Sequence, residues 1–357
     1  MRLVGVCSFF LLSGCILITG SGDGSSSAGA GGQGAGGDSR GGGGGGSGAL
    51  LVQPIVQESQ VWIDFATAGS DLVAAIAGDK AFFAKASAEI PTFTVYPLSR
   101  TGYGLTSVSL ANEDGKAFFG TDQGLILFED PVMPGALRFS DTVMGDTLSG
   151  LEVMAQSDDD YQLYALLGAD NALRSALVNV AMPGDVPLQA ICGGGQAPVR
   201  DRNGGTLLVA SGAAPFLSDC PPGGLSVTYS LAVIPIASIA RGDTFAYFVP
   251  SGLTDESQSI PTADPTRAPT TFVWPGVLAI AHAPNGQIAV VSSPEGDGLE
   301  VALCPEAEKL GASCAKAALP EVTSVVRMRA GPGEHTTIHA RGPSTGDVLF
   351  LVKPSGS

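Results

Sequence analysis

The stretch "DGKAFFGTDQGL", Asp114–Leu125, has a near-copy 36 residues upstream, where "GDKAFFAKASAE" runs from Gly78 to Glu89. In both, a Gly/Asp turn leads into Lys-Ala-Phe-Phe, and an apolar run precedes the turn. Gly next to Asp or Asn is a hairpin signal because both central turn positions tolerate positive φ. Two adjacent Phe residues on a strand point to opposite faces, so each such strand is apolar on both sides. A sheet of this kind needs cover on both faces.

Five further segments repeat the pattern of apolar strand, Gly/Asx turn and second apolar strand. They turn at Asp159 in "MAQSDDDYQLYALLG", Gly204 in "VRDRNGGTLLVASG", Gly242 in "SIARGDTFAYFVPSG", Gly286 in "AIAHAPNGQIAVVSS" and Gly333 in "RMRAGPGEHTTIHARG". The gaps along the series are 37, 44, 45, 38, 44 and 47 residues. A strand-only period near this length is that of propeller blades, each about four short antiparallel strands. The expectation is an all-β chain, a seven-bladed β-propeller over residues 50–357. Phe82, Phe83, Phe118 and Phe119 are then packing between blades. The regularity of the turns argues against a β-sandwich with long loops. The segment "LLVQPIVQESQVWIDFATAG", with apolar alternation at Val61, Ile63 and Phe65, is expected to pair in part with the last blade and close the ring. Only "PEAEKLGASCAKAALP", Pro305–Pro320, could hold a turn or two of helix, and Gly311 interrupts it.

One unit, "LTSVSLANEDGKAFFGTDQGLILFED" at Leu105–Asp130, resembles the repeat of bacterial sensor-type propellers. The resemblance covers about 26 of 357 residues and implies the fold rather than an activity. The Gly-His and Trp-Asp signature of WD40 repeats is absent.

The N-terminal "MRLVGVCSFFLLSGCILITG" has a basic Arg2 and a short apolar run, Leu3 to Leu12, the pattern of an export signal. Its Leu12-Ser13-Gly14-Cys15 resembles the lipobox of bacterial lipoproteins. That resemblance implies a signal peptide at 1–14, acylation of Cys15 and a lipid anchor in the cell envelope, on the outer membrane. Cleavage after Gly20, without lipid, is the alternative. Residues 20–49, "GSGDGSSSAGAGGQGAGGDSRGGGGGGSGA", carry no apolar side chain larger than Ala and cannot offset the entropy of ordering. With Cys15 they form a Gly/Ser tether, 15–49, with a reach of roughly 30 Å.

Outside the signal stand Cys192, Cys220, Cys304 and Cys314. In an exported chain an even count reads as disulfides, for which three connectivities are open. The sequence-neighbour pairs Cys192–Cys220 and Cys304–Cys314 are expected because each closes a short loop. Zinc fits poorly, for want of a Cys-x-x-Cys element or a nearby His. The 34 Asp and Glu against 18 Lys and Arg give a net charge of −16, which repels phosphate backbones and excludes nucleic acid as a partner.

Candidate chemistry is sparse. Gly342-Pro343-Ser344-Thr345-Gly346 matches a nucleophile-elbow pattern, but a strand follows it and no His lies beyond Ser344, so it reads as a turn. His335 and His339 are four apart in a strand-like segment and form a weak metal pair. Asp158-Asp159-Asp160 and Glu295, Asp297 and Glu300 lack the spacing of a calcium loop and read as acidic turns. "CGGGQ" at Cys192–Gln196 lacks the Lys-Ser/Thr of a phosphate loop. With Trp62 and Trp274 as the only tryptophans, the repeated docking motif of quinone-dependent propeller dehydrogenases is missing. No catalytic, cofactor or metal residue is assigned and no cofactor is expected. The expected function is a protein- or glycan-binding module on an envelope-anchored lipoprotein. The alternatives are a scaffold in outer-membrane assembly, or an extracytoplasmic hydrolase or lyase with its site at the propeller channel.

Overall fold

The computed structural model describes residues 50–354, except for 57–59, 69–70, 112–115, 130–133, 140–146, 168–171, 182–184, 187–198, 204–205, 211–215, 222–226, 232–235, 253–254, 284–285, 295–297, 312 and 331–334. The signal and tether, residues 1–49, lie outside the described residues, as do Cys15, Cys192, Glu295 and Asp297.

Seven separate sheets follow one another along the chain and close into a ring. Their first strands are Asp64–Ala68, Leu105–Leu110, Leu148–Ala155, Val199–Asn203, Ile236–Arg241, Val277–Ala283 and Ser324–Ala330, for blades 1 to 7 in that order. First strands of neighbouring blades approach one another from blade 1 to 3, from blade 4 to 7 and between blades 7 and 1, around the axial channel, and the sheets run outward from there through antiparallel hairpins. Among the described residues blade 3 has three strands, and Asp185–Val186 joins blade 2 instead. There it runs parallel to Gly135–Phe139 as a fifth strand.

The core is seven layers, one at each blade junction. Phe82 packs with Trp62, Phe65 and Leu349 between blades 7 and 1. Phe83 lies against the layer between blades 1 and 2, which also holds Phe119. Phe118 faces the other way, toward Tyr161 of blade 3, with ring centroids 5.1 Å apart. Both aromatic pairs therefore split between two layers, as the sequence predicts.

The repeat is nonetheless out of step by one hairpin. Gly78 joins the second and third strands of blade 1, Leu72–Ala77 and Lys80–Lys85. Asp159, Gly242 and Gly286 join first and second strands, and the strands flanking Gly115, Gly204 and Gly333 are also first and second. The true counterpart in blade 1 is the connection after Ala68, which lengthens the first gap to about 45 residues. Lys-Ala-Phe-Phe does not mark a place in the sheet, because any two-faced strand after a tight turn can carry it.

Closure follows the expected route. Leu50–Pro54 pairs antiparallel with Gly346–Pro354 as the outer strand of blade 7, Val52 opposite Val352. The chain then crosses to blade 1, where the Val56 N–H donates to Pro91 O at 2.8 Å and the Phe93 N–H donates to Val56 O at 3.0 Å. The predicted alternation is corrected at this point. Val61 and Ile63 are exposed, while Trp62 and Phe65 are buried in one layer.

The described residues of Pro305–Pro320 contain no helix, and Ala315–Leu319 is a strand. The loop before it is tied at its base by the Cys304–Cys314 disulfide. It lies across blade 5, where the Glu306 carboxylate accepts hydrogen bonds from the backbone N–H groups of Asp243, Thr244 and Phe245 at 3.0, 2.8 and 2.7 Å. A Cβ on Gly242 would collide with that carboxylate and with Phe245 O. Cys220 is also disulfide-bonded.

Truncating a two-layer aromatic leaves a cavity that rigid neighbours cannot fill. Phe118→Ala is expected to lose about 3–5 kcal/mol in urea unfolding, and Phe83→Ala, at a half-buried position, clearly less. His335 adds a pH dependence. Burial pushes its imidazole down to about 4, with Asp71 opposing and Lys353 reinforcing the shift. Below the ordinary value of 6.5 the unfolded chain takes up a proton that folded His335 refuses. This contribution is therefore complete above pH 6.5 and lost as pH falls toward 4. The expected loss is on the order of 2–3 kcal/mol, and His335→Gln should remove that part of the slope.

Candidate functional site

A first strand is the inner edge of its sheet, so part of its backbone lacks a ladder partner. In this protein, polar side chains of one blade serve the N–H groups of a later one. Asp64 Oδ2 accepts from Val108 N–H at 3.0 Å, Ser109 Oγ from Val153 N–H at 3.0 Å and Ser238 Oγ from Ile280 N–H at 3.0 Å. Asp201 Oδ2 accepts from both Arg241 N–H and His282 N–H, at 2.8 and 2.9 Å.

The same carboxylates meet two arginines from blade 7. Asp64 Oδ1 pairs with Arg327 Nη1 and lies 3.6 Å from Arg329 Nη2. Arg329 Nη1 reaches Glu152 Oε1 of blade 3 at 2.8 Å, joining well-separated parts of the ring. Burial disfavours the Arg329 charge. Glu152, Asp64 and Asp201 more than offset this and hold the guanidinium above its ordinary value. Asp64, Glu152 and Asp201 are 3, 6 and 8% exposed. Beside them opens a cavity of about 240 Å³, whose lining includes Asp201, Ser238, Leu278, Val326, Arg327 and Arg329. Behind Asp201, Arg241 Nε bonds Asp219 Oδ1 at 2.8 Å, and Tyr229 OH donates to Asp219 Oδ2 at 3.1 Å. Burial and then the Asp219 charge push the Tyr229 hydroxyl up.

Acid–base chemistry needs carboxylates with lone pairs directed at a substrate. Asp64 and Glu152 here hold arginines, and Asp64 and Asp201 hold backbone N–H groups. His282 belongs to the first strand of blade 6, and its imidazole is buried with Asp243, Glu306 and Arg241 as charged neighbours. His339 lies in the junction of blades 7 and 1, its ring 6.2 Å from Phe65 and its Nε2 3.3 Å from Asp347 Oδ1. His282 and His339 are both pushed down chiefly by burial. His335 precedes the strand Thr336–Gly342 that carries His339, and the two have different charged neighbours, Asp71 and Lys353 for His335 and Asp347, Arg341 and Arg327 for His339. Among the described residues no group of three or more His, Cys, Asp or Glu is placed to hold a metal.

Of the acidic segments, Asp158 and Asp159 lie in a turn, whereas Glu300, expected in a turn, lies in the strand Leu299–Pro305 opposite Ala318. Asp160 Oδ2 accepts from Ser157 Oγ at 2.9 Å and Asp160 Oδ1 from Asn179 Nδ2 at 2.8 Å. Glu300 pairs with Lys316 at 2.8 Å. Gly342 and Gly346 face each other across a hairpin turn, with Gly346 at φ 66°. Cys192–Gln196 lies outside the described residues.

One feature escaped the sequence reading, a recurrent bulge at the start of the first strand. Register slips at Thr106, Ser149, Ala237, Leu278 and Val326, in blades 2, 3, 5, 6 and 7. In blade 1, Ile63 N–H donates to Ile76 O at 3.0 Å while Asp64 is also opposite Ile76. A bulge places an extra residue outside the pleat and re-aims its side chain. Its signal was present as apolar residues three apart: Trp62 and Phe65, Leu105 and Val108, Leu148 and Leu151, Ile236 and Ile239, Val277 and Ile280, Val325 and Met328. Each pair lies in one layer.

Removing one partner of a buried pair strands the other charge. Arg329→Met is expected to destabilise the protein by about 3–5 kcal/mol, and adding Glu152→Gln should recover part of this. A double-mutant cycle in urea measures the coupling.

No known family's sequence profile matches the chain, and no curated protein matches it. Solved structures do. One described as the structure of U3-55K is 12% identical with a TM-score of 0.60, over 85% of this chain and 98% of that one. The WD40 β-propeller domain of Doa1 is 15% identical with a TM-score of 0.54, over 84 and 96%. Virginiamycin B lyase from Staphylococcus aureus is 11% identical with a TM-score of 0.55, over 85 and 98%. At these identities the likeness is one of fold, and the fold is the seven-bladed β-propeller.

Proposed function

We propose that this chain is an envelope lipoprotein, anchored through Cys15, whose propeller is a rigid module for binding a protein or glycan. One observation carries the binding half of this reading. The ionisable groups at the channel are tied to one another and to backbone N–H groups, so they brace the ring. Function then falls to the rim and to the loops between strands. The two structural neighbours described as a WD40 domain and a lyase represent two uses of such a ring. A lyase or hydrolase reading would draw on carboxylates and a histidine at the channel. Carboxylates are there, but Asp64 and Glu152 face arginines, and the imidazole of His339 lies in a blade junction. The anchor rests on the lipobox-like Leu12-Ser13-Gly14-Cys15 and the Gly/Ser segment after it.

Expression in a bacterium that processes lipoproteins, followed by mass spectrometry of the N-terminal peptide, tests the anchor. A diacylated Cys15, lost in Cys15→Ser, is the expected result. An unmodified N-terminus after Gly20 would overturn it.

A further inference from the structure

The bulge residues do not treat the channel mouth evenly. Blades 2 and 3 place Thr106 and Ser149 there. Blades 5, 6 and 7 place Ala237, Leu278 and Val326 at the cavity, and Ile63 holds the equivalent bulge position in blade 1. Leu278, Val326 and Ile63 are 40, 46 and 47% exposed. Ala237, Leu278 and Val326 line the cavity together with Arg327, whose side chain is 39% exposed. Neither burial nor folding explains an aliphatic arc held open to water by bulges that turn its residues out of the pleat.

We propose that this arc and Arg327 form a docking mouth for a segment of a partner protein that presents a bulky aliphatic side chain beside a carboxylate. The proposal rests on the binding-module reading and specifies its ligand. Size is the first argument. A cavity of about 240 Å³ is below the range of free small-molecule sites, and it suits one inserted side chain at the tip of a larger partner. Charge is the second. A guanidinium carries five N–H donors in a planar fork, and among the described residues Arg327 makes one ion pair, through Nη1 to Asp64. Asp64 is buried and does not line the cavity, and Asp201, which does, gives its Oδ2 to two backbone N–H groups, so the half-exposed guanidinium is the charge most open to an incoming group. A carboxylate matches the fork. A doubly charged phosphate is less well matched, since Asp64, Glu152 and Asp201 outnumber Arg327 and Arg329 and the chain carries −16 overall. Chemistry of the arc is the third. Its residues are all aliphatic, which favours a Leu- or Ile-like side chain and offers no aromatic face for a sugar ring to stack on.

The test is selection of phage-displayed short random peptides on the purified full chain, then titration of the best binder as a fluorescein-labelled peptide. A glycan array is run in parallel. The expected result is enrichment of Leu, Ile or Val next to Asp or Glu. Affinity should fall at least about tenfold in Val326→Asp and in Arg327→Lys, which keeps the charge but loses the fork. Val273→Asp, at an exposed position on the outer strand of blade 5, should have no effect, and thermal melts should show that the variants remain folded. Peptides without the aliphatic–acidic pattern, or binding indifferent to Val326→Asp and Arg327→Lys, would overturn the proposal while leaving a binding module. Glycan binding alone would do the same. Failure of peptides and glycans alike would remove the binding-module reading as well.

Discussion

Every blade in this protein is a sheet with two oily faces and no interior of its own. Stability comes only from the layers formed where neighbours meet, and those layers are seven, one per junction. Any single blade released from the ring would expose both faces to water, at a cost set by area. Nearest-neighbour dependence of this kind makes the ring cooperative and places its weak points at junctions. Some junctions carry extra ties: the disulfide-closed loop of blade 6 over the Gly242 turn, and the Val56 contacts with Pro91 and Phe93.

The inner wall raises a second constraint, because seven sheet edges converge on one axis. An open edge either recruits a foreign strand or needs its polar groups occupied. Asp64, Ser109, Asp201 and Ser238 occupy N–H groups across blade boundaries, and Asp64 also recruits Arg327 and Arg329. Carboxylates that resemble catalytic groups are thereby part of the wall. What remains for recognition is the rim, where the strands are irregular and the side chains are turned toward solvent.

The hairpins were legible because Gly and Asx announce positive φ within a few residues, and the blade number followed from counting them. The layer assignment of Phe82, Phe83, Phe118 and Phe119 was legible because period two on a strand is local geometry. Register within blade 1 was not, since the Gly78 turn imitates the Gly115 turn in chemistry while occupying a different place in the sheet. The bulges were hidden for a related reason. Val61, Ile63 and Phe65 alternate as a regular strand would, and only the competing Trp62 and Phe65 pair reveals the slip. The channel network was beyond reach, since Arg327 and Asp64 are 263 positions apart and nothing in either neighbourhood advertises the other.

The strand Leu50–Pro54 is the first of the propeller in sequence yet belongs to its last blade. A chain emerging from its N-terminus makes this strand first and gives it a partner last, after about three hundred further residues have appeared. Until then both Leu50–Pro54 and the unfinished ring present open hydrogen-bonding edges. Such long-range pairing is slow, and incomplete intermediates of this kind are prone to stick to one another. The molecule is thus built like a belt whose buckle is forged first and fastened last.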